Sequence, residues 1–347
     1  MNEKTELKKI TLARPLLLVL LAGALAIGIF IGAGMNMFSP LPSARTESVA
    51  GGREGEFRFI RASMESKAPA GKRTGGELKP FQYKVSALIE ERLKNEDAVA
   101  VSVYFRDLNN GNWFGIGERE KISPKNLMKV PLMMAYFKWA EANPLVLRKS
   151  LLYPGKQEGL GVEHTRPAKE MESGKSYTVN DLIYRMIVYD DASAYELLYA
   201  NLPPARLDKI FKDLYVEYDP HKQEDFLSMS SFASFYRVLF NASYLSEEMS
   251  EKALRYLSKS AFRDGMASGV PPSVDIACKH GERTISVTVN NEEQEVTQLH
   301  EFGIIYYPNR PFLLGVMARG DDFSQLVRIT RDITRLVYEE VDQQHQM

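Results

Sequence analysis

The sequence has a single cysteine, no excess of either charge and few histidines. Its 347 residues include 44 Lys and Arg, 45 Asp and Glu, five His and one cysteine, Cys278. A lone cysteine cannot form an internal disulfide, and balanced charge gives no electrostatic footprint for nucleic acid. The histidines are scattered without the spacing of metal ligands. The sequence therefore predicts a core stabilised by burial, with no cofactor, no metal and no nucleic-acid partner.

Charge is missing altogether from one stretch near the N-terminus. No charged residue lies between Pro15 and Pro40, and residues 16–31 are almost wholly apolar. About 20 apolar residues span a bilayer. Basic residues precede the stretch at Lys4, Lys8, Lys9 and Arg14. The positive-inside rule then predicts a cytoplasmic N-terminus at 1–14, a transmembrane anchor at 15–38 and an extracytoplasmic remainder, so that the chain is a single-pass protein of the cell membrane.

A cleaved signal peptide is the alternative to this anchor. Signal peptides have apolar regions of about 7–15 residues followed by a small-residue cleavage site. The run here is longer, and the nearest candidate site, Pro42-Ser43-Ala44, is a poor one, which favours the anchor. Small residues at Ala24, Gly28 and Gly32 form a ladder through which two anchors could pair weakly.

Residues 39–80 are rich in Ser, Pro, Gly and Ala, a composition typical of a tether. Residues 56–60 interrupt it, because they alternate as a short strand would. We therefore predict a flexible tether at 39–56 and a folded domain at 57–347.

Periodicity within this domain predicts strands at both ends and helices between them. The predicted strands cover 98–106, 112–116, 284–289, 302–307 and 312–318. Helices are predicted at 81–95 and, at the end of the domain, over a stretch marked by Leu326, Ile329, Ile333 and Leu336. Ser123 followed by Pro124 is typical of an N-cap and first helical residue, here of a helix through Trp139. The expected fold class is α/β (α+β): a mostly antiparallel sheet built from both ends of the domain, flanked by helices, with an inserted all-helical subdomain at about 124–262.

Three sequence strings carry a family resemblance. They are ISPKNLMKVPL at 122–132, MIVYDDASA at 186–194 and CKHGE at 278–282. In this order and spacing they resemble the class A β-lactamase family and its penicillin-binding serine hydrolase relatives, over about residues 57–341. The resemblance implies a β-lactamase/transpeptidase-like fold.

The resemblance also implies a chemistry that needs three motifs. In S-x-x-K, a lysine one helical turn after a serine helps remove the hydroxyl proton while the serine attacks a β-lactam or acyl-D-Ala carbonyl. S-D-N relays a proton to the leaving nitrogen and holds the substrate with its amide. K-T-G brings a second lysine to the substrate carboxylate and a backbone N–H to the oxyanion hole.

The first motif departs from the family at the nucleophile. The residue three before Lys129 is Asn126, and a neutral carboxamide is a very weak nucleophile. Asn126 thus marks a degenerate nucleophile position, and we expect no acyl-enzyme there. Ser123, one turn earlier, and Ser193 are the weaker candidates for a substitute nucleophile.

The other two motifs are altered as well. Asp190 replaces the proton-relaying serine and Ala192 replaces the substrate-holding asparagine. Lys279 and Gly281 are kept, but His280 stands between them. By the resemblance, Ala192, Lys279, His280, Gly281 and Glu282 are the predicted binding residues, and the backbone N–H groups of Asn126 and Glu282 could form an oxyanion-hole-like cradle. No E-x-x-L-N string, the family's source of a deacylating glutamate, occurs between Asn201 and Ser231.

If the chain has the fold of this family, one arrangement of residues accounts for all of these changes. Lys129, Asp190 and Lys279 would then converge, and an aspartate between two lysines favours their charged forms. A charged Lys129 cannot act as a base. Our hypothesis is an ion-paired structural network, cross-bridged by Asn126, in place of the acylation machinery. The simpler alternatives are an ordinary edge-strand lysine at Lys279 and a surface or merely hydrogen-bonded histidine at His280.

Three functions remain open from the sequence. The first is a catalytically degenerate, membrane-anchored β-lactamase-like domain whose groove binds peptidoglycan stem peptide, a β-lactam or a protein partner. The second is an active β-lactam hydrolase or peptidoglycan D,D-peptidase with an unrecognised nucleophile. The third is a scaffold whose groove binds nothing. We favour the first, because no alternative serine has a lysine one turn away.

Overall fold

The computed structural model describes residues 57–61, 79–122, 125–155, 164–217, 227–289 and 292–346. Residues Phe57–Met347 form one compact unit. The predicted cytoplasmic segment, anchor and tether at 1–56 lie outside the described residues, so these assignments stay predictions. Ser123 and Pro124 lie outside them as well. Within the described ranges, no helix has both the length and the apolar character needed to cross a membrane.

The elements of the described residues are named here in chain order. The strands are β1 Ala100–Asp107, β2 Trp113–Ile116, β3 Lys121–Ile122, β4 Ser150–Leu152, β5 Ser176–Thr178, β6 Leu227–Ser228, β7 Ile276–Val289, β8 Glu292–Ile305 and β9 Phe312–Gly320. The α-helices are α1 Lys79–Lys94, α2 Lys129–Ala142, α3 Val179–Val188, α4 Ala192–Asn201, α5 Pro204–Asp213, α6 Met229–Phe240, α7 Glu247–Leu257 and α8 Phe323–Gln346. Short 3₁₀ turns cover Lys125–Met128, Pro144–Arg148 and Met266–Gly269.

Five antiparallel strands make the central sheet, in the order β2-β1-β9-β8-β7. The first two strands come from the start of the domain and the last three from its end, so the predicted antiparallel sheet joining both ends is confirmed. Strand β7 lies at one edge. In its long hairpin with β8, Lys279 is paired with Phe302 and His280 with Glu301.

Both faces of the sheet are buried, and successive strand residues point to opposite faces. In β1, Val103 and Phe105 pack into a core with α1 and α8, while Tyr104 between them joins the core on the other face. That second core contains the helices inserted between β2 and β7. The insertion is helical apart from the short pairs β3–β6 and β4–β5.

Two local predictions are wrong. Residues 57–60 do not form a strand: residues 58–60 are bends, because their backbone N–H groups donate to the Glu251 carboxylate instead of to a neighbouring strand. Helix α2 begins at Lys129 rather than at Pro124, since residues Lys125–Met128 form a 3₁₀ turn first. The N-cap residue is Met128, whose side chain makes no capping hydrogen bond.

Candidate functional site

The first part of the site is the turn that leads into α2. Asn126 lies in the 3₁₀ turn and Lys129 is the first residue of the helix, so the two stay about one turn apart. Both are buried, with exposed fractions of 8% and 1%. A lysine ammonium is rarely buried to this degree unless it is paired. The position of Lys129 therefore requires a partner from another element.

That partner is Asp190, which lies between α3 and α4. Its backbone φ of +61° is in the left-handed region, which aspartate and asparagine tolerate better than most residues. The next residue, Asp191, caps α4 by accepting a hydrogen bond from the Ala194 N–H at 3.2 Å. Ala192 is the first residue of that helix. The turn and the cap direct the Asp190 side chain away from α4 and towards α2 and β7.

Strand β7 supplies the remaining residues. Lys279 is on an edge strand but is fully buried, so it is not the solvent-exposed edge lysine of the simpler alternative. At Gly281 a Cβ would come within 2.6 Å of His300 Nε2 on β8. Only glycine fits so close an approach.

A single carboxylate oxygen joins the two lysines. Asp190 Oδ1 lies 2.6 Å from Lys129 Nζ and 2.5 Å from Lys279 Nζ. Lys129 Nζ also donates to the backbone carbonyl oxygen of Asp190 at 3.1 Å. An ammonium has no lone pair with which to accept a proton. The structure thus brings Lys129, Asp190 and Lys279 together in one buried network; bridging by Asn126 stays a prediction.

Burial and charge oppose each other within this network. Burial penalises the Asp190 carboxylate, but the positive charges of Lys129 and Lys279 outweigh it and hold the pKa of Asp190 well below its usual range. Burial likewise lowers the pKa of Lys279, against the attraction of Asp190. An aspartate held ionised in this way carries no proton of its own to donate.

His280 completes the ring of contacts around Asp190. Its Nε2 lies 3.1 Å from Asp190 Oδ2, and its ring packs against Phe262 with centroids 4.1 Å apart. Burial, reinforced by the charge of Lys279, lowers the pKa of His280 to about 4. At neutral pH the uncharged ring can donate its Nε2 proton to Asp190. His280 is therefore a buried, hydrogen-bonded histidine, as in the simpler alternative for this residue.

Thr165 covers the end of the site near Glu282. Its backbone N–H and its hydroxyl both donate to Glu282 Oε1 at 2.8 Å, and its Oγ1 lies 3.2 Å from His280 Nε2. The neighbouring His164 stacks on Phe323 at the start of α8. Residues 164 and 165 thus contact both β7 and α8. Sequence reasoning missed Thr165, because no periodic pattern marks this loop.

Glu301 is the second residue that sequence reasoning missed. It lies on β8 opposite His280 and accepts a hydrogen bond from the Met266 N–H at 2.7 Å through Oε2. Burial raises its pKa to about 7, against the hydrogen bonds from Met266 and Cys278. The pairing register of the hairpin would have located it, since a glutamate directly opposite His280 must lie beside the site. The prediction began this strand only at Phe302.

With this geometry established, we compared the chain with known proteins. Residues 82–341 match the model of the beta-lactamase enzyme family. The chain belongs to this family. The resemblance inferred from the three motifs is confirmed, and so is the β-lactamase/transpeptidase-like fold.

Solved structures give the same fold for this family member. A beta-lactamase from Sphaerobacter thermophilus is 18% identical with a TM-score of 0.62, covering 74% of this chain and 96% of its own. A beta-lactamase from Xanthomonas campestris is 17% identical with a TM-score of 0.60, covering 74% and 97%. A PBP-A mutant, solved as an acyl-enzyme complex with penicillin G, is 16% identical with a TM-score of 0.60, covering 77% and 97%. The search of curated proteins found no match.

Of the two weaker candidates for a substitute nucleophile in this beta-lactamase family member, Ser193 is the one that lies among the described residues. Ser193 Oγ accepts a hydrogen bond from the Tyr153 hydroxyl at 3.3 Å, whereas both lysines donate to Asp190. Ser123 lies outside the described residues. The catalytic roles assigned to Asn126, Lys129 and Asp190, and the binding roles of the β7 residues and Ala192, stay predictions.

Proposed function

We propose that this protein is a membrane-anchored, extracytoplasmic member of the beta-lactamase enzyme family that acts by binding rather than by acyl transfer. One observation carries the proposal: Asp190 binds both lysines in a buried network. It is supported by the sequence, in which Asn126 stands three residues before Lys129, where the family motif has its serine. The expected ligand is peptidoglycan stem peptide or a protein partner that meets the groove along β7.

Loss of the serine alone would leave a lysine free to activate another nucleophile. The Asp190 network opposes that option as well, because Lys129 Nζ donates hydrogen bonds to both the carboxylate and the backbone carbonyl oxygen of Asp190. Activation of a serine needs an adjacent group able to take its proton. The charge of Lys279 is likewise offset by Asp190, so its attraction for a substrate carboxylate is weakened.

Burial of the site supports the same conclusion. Lys129, Lys279, His280 and Glu282 are each at most 3% exposed. A ligand carbonyl must approach the nucleophile and the oxyanion donors to about 3 Å. A ligand that pairs with Glu282 Oε1 must compete with the two hydrogen bonds from Thr165. Reversible binding coupled to a local opening therefore fits the geometry better than turnover does.

The first experiment tests for residual chemistry. The full chain, purified in detergent, is incubated with a chromogenic cephalosporin and with a fluorescent penicillin, and hydrolysis and intact mass are recorded. We expect hydrolysis no faster than the blank and no mass adduct, because both lysines of the site donate to Asp190. The Xanthomonas campestris beta-lactamase serves as the positive control. An adduct that survives denaturation would show that another residue acts as the nucleophile.

The second experiment tests the anchor and its orientation. Cys278 is fully buried, so an added surface cysteine is the only thiol expected to react with a membrane-impermeant maleimide. Tyr83 is 76% exposed on α1, and we expect Tyr83→Cys to be labelled on intact cells. Its matched control, Thr5→Cys, should be labelled only after lysis. The reverse pattern, or release of Tyr83→Cys protein into the medium, would contradict a cytoplasmic N-terminus with an uncleaved anchor.

A further inference from the structure

The first described segment of the domain, residues 57–60, is bound by the fold much as a peptide ligand would be. Glu251 on α7 accepts hydrogen bonds from three successive backbone N–H groups, those of Arg58, Phe59 and Ile60, at 2.9, 2.7 and 3.2 Å. Glu251 is only 1% exposed, and Phe59 and Ile60 are buried as well. We call residues 57–60 the N-terminal clip.

The clip also contacts the sheet half of the domain. Tyr306, just after β8, donates its hydroxyl proton to the Phe59 carbonyl oxygen at 3.0 Å, and the two rings pack edge to face. Arg58 forms an ion pair with Asp275, the residue before β7. The clip therefore spans the boundary between the helical insertion and the sheet.

The same boundary contains the candidate site. Two routes through the fold lead from the partners of the clip, Glu251 and Asp275, to the residues of that site. On the helical side, Glu251 lies on α7, and Ala261 follows four residues after the end of that helix. The Ala261 N–H donates at 2.8 Å to the carbonyl oxygen of Val188, which is two residues before Asp190. On the sheet side, Asp275 immediately precedes β7, and that strand runs without interruption from Ile276 to Lys279. Continuous packed elements of this kind can carry energetic coupling.

We propose that the clip controls access to the buried site. While the clip is docked, it holds the helical insertion against β7, and the ion pair of Asp190 with Lys279 stays closed. When the clip leaves Glu251, the boundary loosens, Thr165 separates from Glu282 and the groove beside β7 opens. A pull on the preceding chain, or its cleavage, would act on the clip directly. The inference does not depend on the proposed function, because it concerns the opening of the site and not its ligand.

Hydrogen–deuterium exchange of the full chain tests this proposal. Glu251→Gln keeps the side-chain shape but loses the charge that strengthens three hydrogen bonds. We expect exchange to speed up about tenfold at residues 58–60, at the Thr165 amide and along β7 near Lys279, as for local opening after loss of a charge-assisted hydrogen bond. Amides that pair β1 with β9, in the middle of the sheet, should keep their slow exchange.

Glu340→Gln is the matched control. Glu340 is 7% exposed and binds Lys84, so it joins α8 to α1 away from the boundary. We expect this variant to leave exchange at Thr165 and β7 unchanged. Three results would overturn the proposal: faster exchange at 58–60 alone, equal acceleration in β1 and β9, or the same pattern in Glu340→Gln. The first would mean local docking only, and the other two a general loss of stability.

Discussion

Asp190→Asn is expected to lower the free energy of unfolding by about 3–5 kcal/mol, the usual effect of removing one partner of a buried ion pair. The reason is that Lys129 and Lys279, both almost fully buried, share the same carboxylate oxygen. Asparagine tolerates the left-handed backbone at this position as aspartate does, so the change removes charge without adding backbone strain. Urea unfolding followed by circular dichroism measures the effect.

Asp213→Asn is the control for this experiment. Asp213 also accepts from a lysine, Lys209 at 2.9 Å, and from the Tyr244 hydroxyl at 3.0 Å, but its pair lies at the surface. We expect a change within the ~0.5 kcal/mol that is common for surface substitutions. Equal effects of Asp190→Asn and Asp213→Asn would mean that the buried network does not stabilise the fold.

A second substitution separates lost charge from lost packing. If Asp190→Asn is harmful because it leaves Lys279 unpaired, adding Lys279→Met should recover part of the lost stability. Lys129 keeps the Asp190 carbonyl oxygen as an acceptor in either background. A double variant no more stable than Asp190→Asn alone would show that the network acts through shape rather than charge.

The sequence predicts the fold and the partners in this network because the motifs fix both position and chemistry. Spacing placed Asn126 one turn before Lys129, and the family order placed Asp190 and Lys279 in the same groove. Opposite charges in a shared buried groove can hardly avoid pairing, since an unpaired buried charge is strongly unfavourable. The convergence of Asp190 on both lysines could therefore be expected before any coordinates were known.

Other features could not be predicted, because they depend on long-range contacts. The contact of Thr165 with Glu282 joins residues 117 positions apart, and nothing in the local sequence indicates it. The sequence of residues 56–60 alternates as in a strand, yet Glu251 accepts hydrogen bonds from the N–H groups of residues 58–60. Ser123 followed by Pro124 predicts a helix start, but the chain forms a 3₁₀ turn before α2. In these cases contacts with distant parts of the chain decide the local structure, and the preference of the local sequence does not.

His280 and Glu301 are buried on paired strands, and their burial changes the free energy of unfolding in opposite directions as pH rises. The pKa of His280 is lowered to about 4 by burial, so its protonation penalises the folded state as pH falls below about 6.5. The pKa of Glu301 is raised to about 7 by burial, so its ionisation penalises the folded state as pH rises above about 4.5. Each shift corresponds to about 3 kcal/mol. Between these limits the two effects largely cancel.

Glu301→Gln should break this balance. Glutamine can still accept the hydrogen bond from Met266 but does not titrate, so only the His280 effect remains. We expect the free energy of unfolding of the variant, relative to the natural chain, to rise by about 3 kcal/mol between about pH 4 and about pH 8. Urea unfolding at a series of pH values measures this difference. Glu172→Gln is the control. The carboxylate of Glu172 is exposed and paired with Lys175, which lowers the pKa of Glu172 instead of raising it. The stability of this variant relative to the natural chain should therefore not rise with pH. A difference for Glu301→Gln that stays constant across the series would show that the pKa of Glu301 is the same in the folded and unfolded chains.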